Sequence, residues 1–232
     1  MSAPLSGHAE TQDTSLASGA GQRIAAIAWA GTALVCLSGF VLLTWLVASR
    51  TAIWFDQPLL SLGRSWDGYA AVWSLLSNAA NLPLIGIGVG LVLWLLFHHR
   101  RREAVLVVLV LVAVTAGSEA VKQLVARPRP HGSDTVVPGV IYSFPSGHVL
   151  EALTIVGMIA ILVWRGSCPR WVKRGVAIAV SVFVVLVAVA RVALNAHYPS
   201  DVLAGFLAGL GVLAIFALLA TPQRQAHVAA PS

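Results

Sequence analysis

Charged residues are scarce in this chain: Asp, Glu, Lys and Arg make up 10% of its 232 residues, whereas soluble domains contain roughly 25%. Hydrophobic residues make up 58%, and the mean hydropathy is +0.83. This composition excludes an ordinary soluble globular domain and indicates an integral membrane protein. The ten-residue alternating pattern of membrane strands is also missing, so the spans are expected to be helices.

Cysteine is rare as well. Cys36 lies inside the first apolar run and Cys168 in a basic loop, and this placement is unsuited to a disulfide or a metal site. The spacings His-x-x-x-His and Glu-x-x-His do not occur, and the cations described below would repel a divalent ion. The sequence therefore predicts neither a metal nor another cofactor.

Long apolar runs are what the chain has in abundance, and they predict six transmembrane helices. The runs cover residues 24–49, 68–97, 104–118, 152–164, 175–190 and 202–223. Residues 1–23 are rich in small polar residues and predict a disordered cytoplasmic tail. Residues 224–232 predict a second cytoplasmic tail, so that residues 24–223 form one membrane domain.

The first two runs carry further expectations. The first run is longer than the core of a signal peptide, so we expect a retained anchor. In the second run, Asn78, Asn81 and Pro83 place the start of the embedded part near Leu82. Residues 56–77 would then form an amphipathic connection on the outer surface.

The Lys and Arg residues between the runs predict the orientation of the chain. With a cytoplasmic N-terminus, most cations lie on the cytoplasmic side. The opposite face carries Arg50, Arg64, Lys122, Arg127, Arg129 and Arg191. Four of these six belong to the polar stretches 122–130 and 191–201, which share that face with a third stretch, 145–148. Because ionisable residues beside membrane spans are costly, their default interpretation is function.

Three of these cations indicate an anion site. Lys122, Arg129 and Arg191 are positive, and the planar guanidinium group fits phosphate oxygens. For Arg127 we expect a side chain that faces water. The alternative for the cations is a salt-bridge network at the outer rim. Its acidic partners would be Glu119, Asp134, Glu151 and Asp201.

Two histidines fit phosphoryl transfer. His197 and Asp201 are four residues apart, so on a helical turn the carboxylate could orient the imidazole for nucleophilic attack. A helix-capping role for His197 is the alternative. His148 follows Ser146 and Gly147 at the start of the fourth run, where helix N–H groups can hold an anion. One histidine would attack phosphorus and the other would protonate the leaving oxygen.

The pattern Lys-x6-Arg-Pro, Pro-Ser-Gly-His and Arg-x5-His-x3-Asp, from Lys122 to Asp201, resembles the type 2 phosphatidic acid phosphatase superfamily. Its membrane members are six-helix lipid phosphatases, and its soluble relatives include vanadium-dependent haloperoxidases. Ala190 stands where the family usually has serine. The resemblance implies an all-α fold with a haloperoxidase-like helical core.

The resemblance also implies roles for the site residues. His197 would be the nucleophile that forms a phosphohistidine, Asp201 its orienter, and His148 the acid that protonates the leaving group. The residues that would hold the phosphoryl oxygens are Lys122, Arg129, Ser146, Gly147 and Arg191. Glu119 and Glu151 lie outside the pattern; Glu151 could interact with His148 or pair with a neighbouring cation.

The implied function is a metal-independent hydrolase of lipid phosphates in a bacterial inner membrane, with its active site on the periplasmic face. The implied substrates are undecaprenyl diphosphate, phosphatidylglycerol phosphate and phosphatidic acid. A phosphotransferase with the same phosphohistidine stays open. A transporter is the alternative of another class, disfavoured because the charges concentrate at one face rather than at the midplane. Nucleic-acid binding is not expected, since the basic residues form no stripe with aromatic residues.

Overall fold

The structure is a computed structural model, and it describes residues 6–130 and 141–221. Within these ranges the chain forms α-helices joined by short turns. In chain order they are α1 Ser6–Ala48, α2 Asp56–Arg64, α3 Ala70–Ala79, α4 Leu82–Phe97, α5 Arg101–Val125, α6 Gly147–Arg165, α7 Arg170–Ala193 and α8 Pro199–Leu219. A 3-10 turn over Asp67–Tyr69 connects α2 to α3.

Six segments of the described chain are long and apolar enough to cross a membrane. They are α1 from Ala20, α3 together with α4, and each of α5, α6, α7 and α8. The predictions of an all-α fold and of six spans are therefore confirmed.

Two boundaries differ from the expectations. First, α1 begins at Ser6, so residues 6–23 are helical rather than an unstructured tail; elongating an existing helix is far easier than starting a new one. Residues 1–5 and 224–232 lie outside the described residues. Second, α3 belongs to the second span, so the amphipathic connection is shorter than expected. Asn81 breaks this span, and α4 starts at Leu82 with Pro83 in its first turn, as proline favours.

The helices α5, α6 and α7 are longer than their uncharged runs and extend into the polar stretches. Lys122 lies in the last turn of α5, His148 in the first turn of α6, and Arg191 in the last turn of α7. This follows from bilayer thickness, because a span of about 20 residues is needed to cross the hydrocarbon. The polar stretches are thereby anchored to rigid helices.

The centre of the bundle is formed by α6 and α8, the most buried of the spans. Their axes approach closely because glycines face the partner helix. A Cβ on Gly209 would lie 2.8 Å from a methyl carbon of Leu153, and a Cβ on Gly157 would overlap Leu213. Small residues at such contacts are a common device of membrane helix packing.

Candidate active site

The three polar stretches meet at one end of the bundle. This end carries the C-terminal ends of α5 and α7 and the N-terminal ends of α6 and α8. Hydrogen bonds join the stretches. Among them, the Ser146 N–H donates to the Asp201 carbonyl oxygen (3.0 Å), and Arg129 Nη1 donates to the Ala196 carbonyl oxygen (2.8 Å). Residues far apart in sequence therefore form one cluster.

His197 lies in the turn between α7 and α8 and is 2% exposed. Its Nδ1 atom is 2.7 Å from the carbonyl oxygen of Ser143, and because a carbonyl only accepts hydrogen bonds, Nδ1 carries the proton. The Nε2 atom of the neutral ring then holds a lone pair. Burial, opposed by the neighbouring Asp201 carboxylate, lowers the pKa of His197 to about 4, so the ring is neutral at neutral pH.

Asp201, which the sequence predicts to orient this imidazole, lies beside the ring. Its Oδ2 atom is 3.6 Å from His197 Nδ1, longer than a hydrogen bond. The same oxygen accepts the backbone N–H of Tyr198 (2.9 Å) and caps α8. The ring is thus oriented by the hydrogen bond that Nδ1–H donates to the Ser143 carbonyl oxygen. Asp201 acts on the ring through its charge.

Arg127 does not face water as expected. Its Nη1 lies 2.6 Å from Asp201 Oδ1, its Nη2 lies 2.7 Å from Asp56 Oδ2, and its guanidinium stacks 3.9 Å from the ring centre of Tyr198. Asp56 also accepts the N–H and the hydroxyl of Ser200 at 2.8 and 2.7 Å. This network joins the start of α2 to the start of α8.

His148 lies among the other predicted site residues. Its imidazole interacts electrostatically with Arg191, His197, Lys122 and Arg129. Glu151 interacts electrostatically with Lys122, whose salt-bridge partner is Glu119. His197 and the three cations that the sequence predicts to bind phosphate therefore lie within electrostatic range of His148.

The cations are held by different elements. Lys122 Nζ lies 3.4 Å from Glu119 and 3.6 Å from the point where a Cβ on Gly147 would stand. Arg191 is 5% exposed, and its Nη1 donates to the hydroxyl of Ser77 on α3. Sequence reasoning missed Ser77, because nothing in a single sequence brings α3 against the end of α7.

Several buried donors at this end lack a hydrogen-bond partner among the described residues. They include Arg191 Nε, Ser146 Oγ and Ser118 Oγ. Buried polar groups are normally paired, and those that are not call for an explanation. Ser118 was also missed by the sequence reasoning; its position one helical turn before Lys122 was the available signal.

The alternative of a rim salt-bridge network accounts for only part of these contacts. Arg127 and Lys122 have carboxylate partners. Over residues 6–130 and 141–221, however, Arg191 lies within 4.0 Å of no carboxylate. Asp134, another proposed partner, lies outside the described residues. A buried guanidinium without a counter-charge is costly unless an anion joins it.

Metal ligands do not gather in the described part of the chain: no three His, Cys, Asp or Glu side chains come close enough to hold an ion. The donors that meet at the site are cationic or neutral, and they suit an anion such as phosphate.

Comparisons with known proteins identify the family of the chain. The family model described as the PAP2 superfamily matches residues 103–225. A curated relative named phosphatidylglycerophosphatase B, from Bacillus subtilis (strain 168), is 36% identical over 94 residues, which are 40% of this chain and 46% of the relative. The similarity thus spans about half the length of that relative.

A solved structure has a similar fold. It is described as the first transmembrane PAP2 type phosphatidylglycerolphosphate phosphatase from Bacillus subtilis, and it is 24% identical to this chain, with a TM-score of 0.63. The superposition covers 77% of this chain and 92% of that one. The family model, which matches more than half of the sequence and all three polar stretches, identifies the chain as a member of the PAP2 superfamily.

Proposed function

We propose that this protein is an integral membrane phosphatase that hydrolyses a lipid phosphate through a phosphohistidine on His197. The observation that carries the proposal is the buried imidazole, whose Nδ1–H is bound to the Ser143 carbonyl. This bond leaves the lone pair of Nε2 available for attack, and the ring interacts electrostatically with His148, Arg129 and Arg191.

In the first half-reaction, His197 Nε2 attacks phosphorus, a P–N bond forms and the bond from phosphorus to the lipid oxygen breaks. His148 gives its proton to that oxygen. The cations and the first N–H groups of α6 stabilise the charge on the three phosphoryl oxygens. Such catalysis depends mainly on positioning and electrostatics, which a preformed cluster supplies.

In the second half-reaction, water attacks the phosphohistidine. His148, now neutral, accepts a proton from the water as the P–N bond breaks, and inorganic phosphate leaves. The low pKa of His197 supports this cycle, because the departing ring is released neutral with Nδ1 still protonated.

The substrate class follows from the position of the site. The cluster lies at the ends of membrane-spanning helices, where a head group can enter while the tails stay in the bilayer. We propose phosphatidylglycerol phosphate as the first substrate to test, because the curated relative is named for its hydrolysis. Phosphatidic acid and undecaprenyl diphosphate are the next candidates.

The test is phosphate release from this panel by the purified protein in lipid micelles. His197→Ala is expected to reduce release by at least about a thousandfold, as loss of a covalent nucleophile does. The wild-type protein, labelled with a 32P donor and quenched in alkali, is expected to carry an acid-labile phosphate that the variant lacks.

The matched control is His99→Asn, which alters an exposed histidine in the loop between α4 and α5. Asparagine tolerates its left-handed backbone, φ 57°, and activity should stay at the wild-type level. Undiminished release by His197→Ala would contradict the nucleophile assignment. Transfer of the label to an added lipid alcohol, without free phosphate, would contradict hydrolysis in favour of phosphotransfer.

A further inference from the structure

Ser118 presents a buried hydroxyl that the protein leaves unpaired. The residue lies on α5, is 5% exposed, and its Oγ atom has no hydrogen-bond partner among the described residues. Hydroxyls within helices usually bond the carbonyl four residues earlier. Thr154 does so with Leu150 at 2.7 Å. Ser118 departs from this pattern, so its donor is free for another acceptor.

The position of this hydroxyl is next to the phosphate-binding residues. A Cβ on Gly147 would lie 3.6 Å from Ser118 Oγ and 3.6 Å from Lys122 Nζ. The hydroxyl and the ammonium group therefore flank the same point at the start of α6. Neighbouring Gly117 and Glu119 are exposed, whereas Ser118 lies on the face of α5 that is turned into the bundle.

We propose that the Ser118 hydroxyl donates a hydrogen bond to a non-bridging phosphoryl oxygen of the substrate and of the phosphohistidine. This inference rests on the proposed function and adds Ser118 to the residues that the sequence motif contains. The Lys122 ammonium group has only donors, so it cannot accept a hydrogen bond from the Ser118 hydroxyl. A phosphoryl oxygen can accept a hydrogen bond from both groups. Ser146 Oγ and Arg191 Nε, also buried and without a partner, would bind other oxygens of the same group.

A purely structural role for Ser118 makes a different prediction. If the side chain were only a small residue packed against Gly147, removing its hydroxyl would leave phosphate affinity unchanged. If the hydroxyl binds phosphate, its removal weakens phosphate binding while the free protein loses no hydrogen bond. The two roles separate when phosphate affinity and the stability of the free protein are measured together.

The experiment uses the purified full-length protein and inorganic phosphate as a competitive inhibitor of lipid hydrolysis. Ser118→Ala is expected to raise the inhibition constant of phosphate about tenfold, which is ~1.4 kcal/mol, and to lower kcat/KM by a similar factor. The melting temperature without phosphate should be unchanged or higher, and the increase that phosphate produces should shrink. Thr154→Val is the matched control, because it removes a buried hydroxyl whose bond is internal to α6, and it should keep the wild-type inhibition constant.

Ser118→Cys preserves the volume of the side chain with a much weaker donor. We expect its inhibition constant for phosphate and its kcat/KM to change as in the alanine variant. If the alanine variant does not fold, the cysteine variant tests the role of the Ser118 hydroxyl. Wild-type inhibition constants in both folded variants would overturn the role of Ser118 and leave the proposed function intact. A wild-type protein that releases no phosphate from any lipid and is not stabilised by phosphate would overturn both.

Discussion

At the scale of single residues, Arg127 is the clearest case of a role that only the folded chain creates. Its two carboxylate partners, Asp56 and Asp201, are 71 and 74 residues away in sequence. Both carboxylates are buried, with 5% and 0% of their side chains exposed. The single positive charge of the guanidinium is therefore shared between two buried carboxylates, and an oxygen of one of them, Asp201, lies 3.6 Å from His197 Nδ1.

Arg127→Ala should destabilise the protein by about 3 kcal/mol, because it leaves two buried carboxylates without their cation. It should also lower kcat, since an uncompensated Asp201 disturbs the His197 ring and the cap of α8. Arg127→Lys should recover part of both losses. Denaturant or thermal unfolding and steady-state kinetics of phosphate release measure these effects.

The control for this prediction is Arg100→Ala. Arg100 also forms an ion pair, with Glu103 at 2.8 Å, but that pair is partly exposed at the opposite end of the bundle. Its loss should cost less than about 1 kcal/mol and leave kcat unchanged. Equal effects of the two alanine variants would contradict a special role for the Arg127 network.

At the scale of helices, the contact between α6 and α8 sets the position of the site. A Cβ on Gly205 would lie 2.8 Å from the carbonyl oxygen of Ser146 and 3.3 Å from the backbone nitrogen of Leu150. Both neighbours are backbone atoms of the first turn of α6. The helices can therefore approach this closely only if residue 205 lacks a side chain.

Gly205→Ala should push the start of α8 away from the start of α6. We expect a loss of about 1–3 kcal/mol in stability, which is typical of overpacking. We also expect kcat to fall by more than the folded fraction does, because Ser146 and His148 move relative to His197. Melting temperature and kcat, measured below the transition, test this.

Gly86→Ala on α4 is the matched substitution, since its Cβ would contact nothing within 4 Å. It should be neutral or should stabilise the helix by up to about 1 kcal/mol. If Gly205→Ala left activity at the wild-type level, the close approach of α6 and α8 would not be needed for the site.

At the scale of the whole molecule, the two ends of the bundle differ in chemistry. One end carries the candidate active site. At the other end, Arg102 Nη2 donates to the Leu219 carbonyl (2.9 Å) and an Arg165 nitrogen donates to the Ala217 carbonyl, so cations cover the C-terminal end of α8, as the helix dipole favours. The distribution of Lys and Arg predicts that this second end is cytoplasmic.

The orientation can be tested with the native thiol. Cys168 is exposed in the loop between α6 and α7, and Cys36 is buried. A membrane-impermeant maleimide should label Cys168 only after spheroplasts are permeabilised. In a Cys168→Ser protein that also carries Thr51→Cys, the label should react from outside, because Thr51 is exposed just beyond α1. Labelling of Cys168 in intact spheroplasts would reverse the orientation and place the site in the cytoplasm.

The sequence predicted the spans because hydropathy is a local pattern, and for the same reason it could locate the three polar stretches that meet at one end of the bundle. Hydropathy over about 20 residues reports the thickness of the bilayer, and the spacing within each polar stretch is short enough to read directly. Ser77, Ser118 and the Ser143 carbonyl were missed for a physical reason. A serine has no distinctive pattern, and a backbone carbonyl has no side-chain identity at all.

The amino-acid sequence alone was sufficient to predict the number of spans and the presence of cations beside two histidines. The reason is that charged side chains and unpaired backbone groups are costly in the hydrocarbon of the bilayer. It could not decide which group holds the His197 ring or whether Arg127 meets water. Those outcomes depend on distances between helices that are far apart along the chain. Packing of α6 against α8 brings the Ser143 carbonyl to His197, packing of α2 against α7 and α8 places Asp56 beside Arg127, and packing of α3 against α7 brings Ser77 to Arg191.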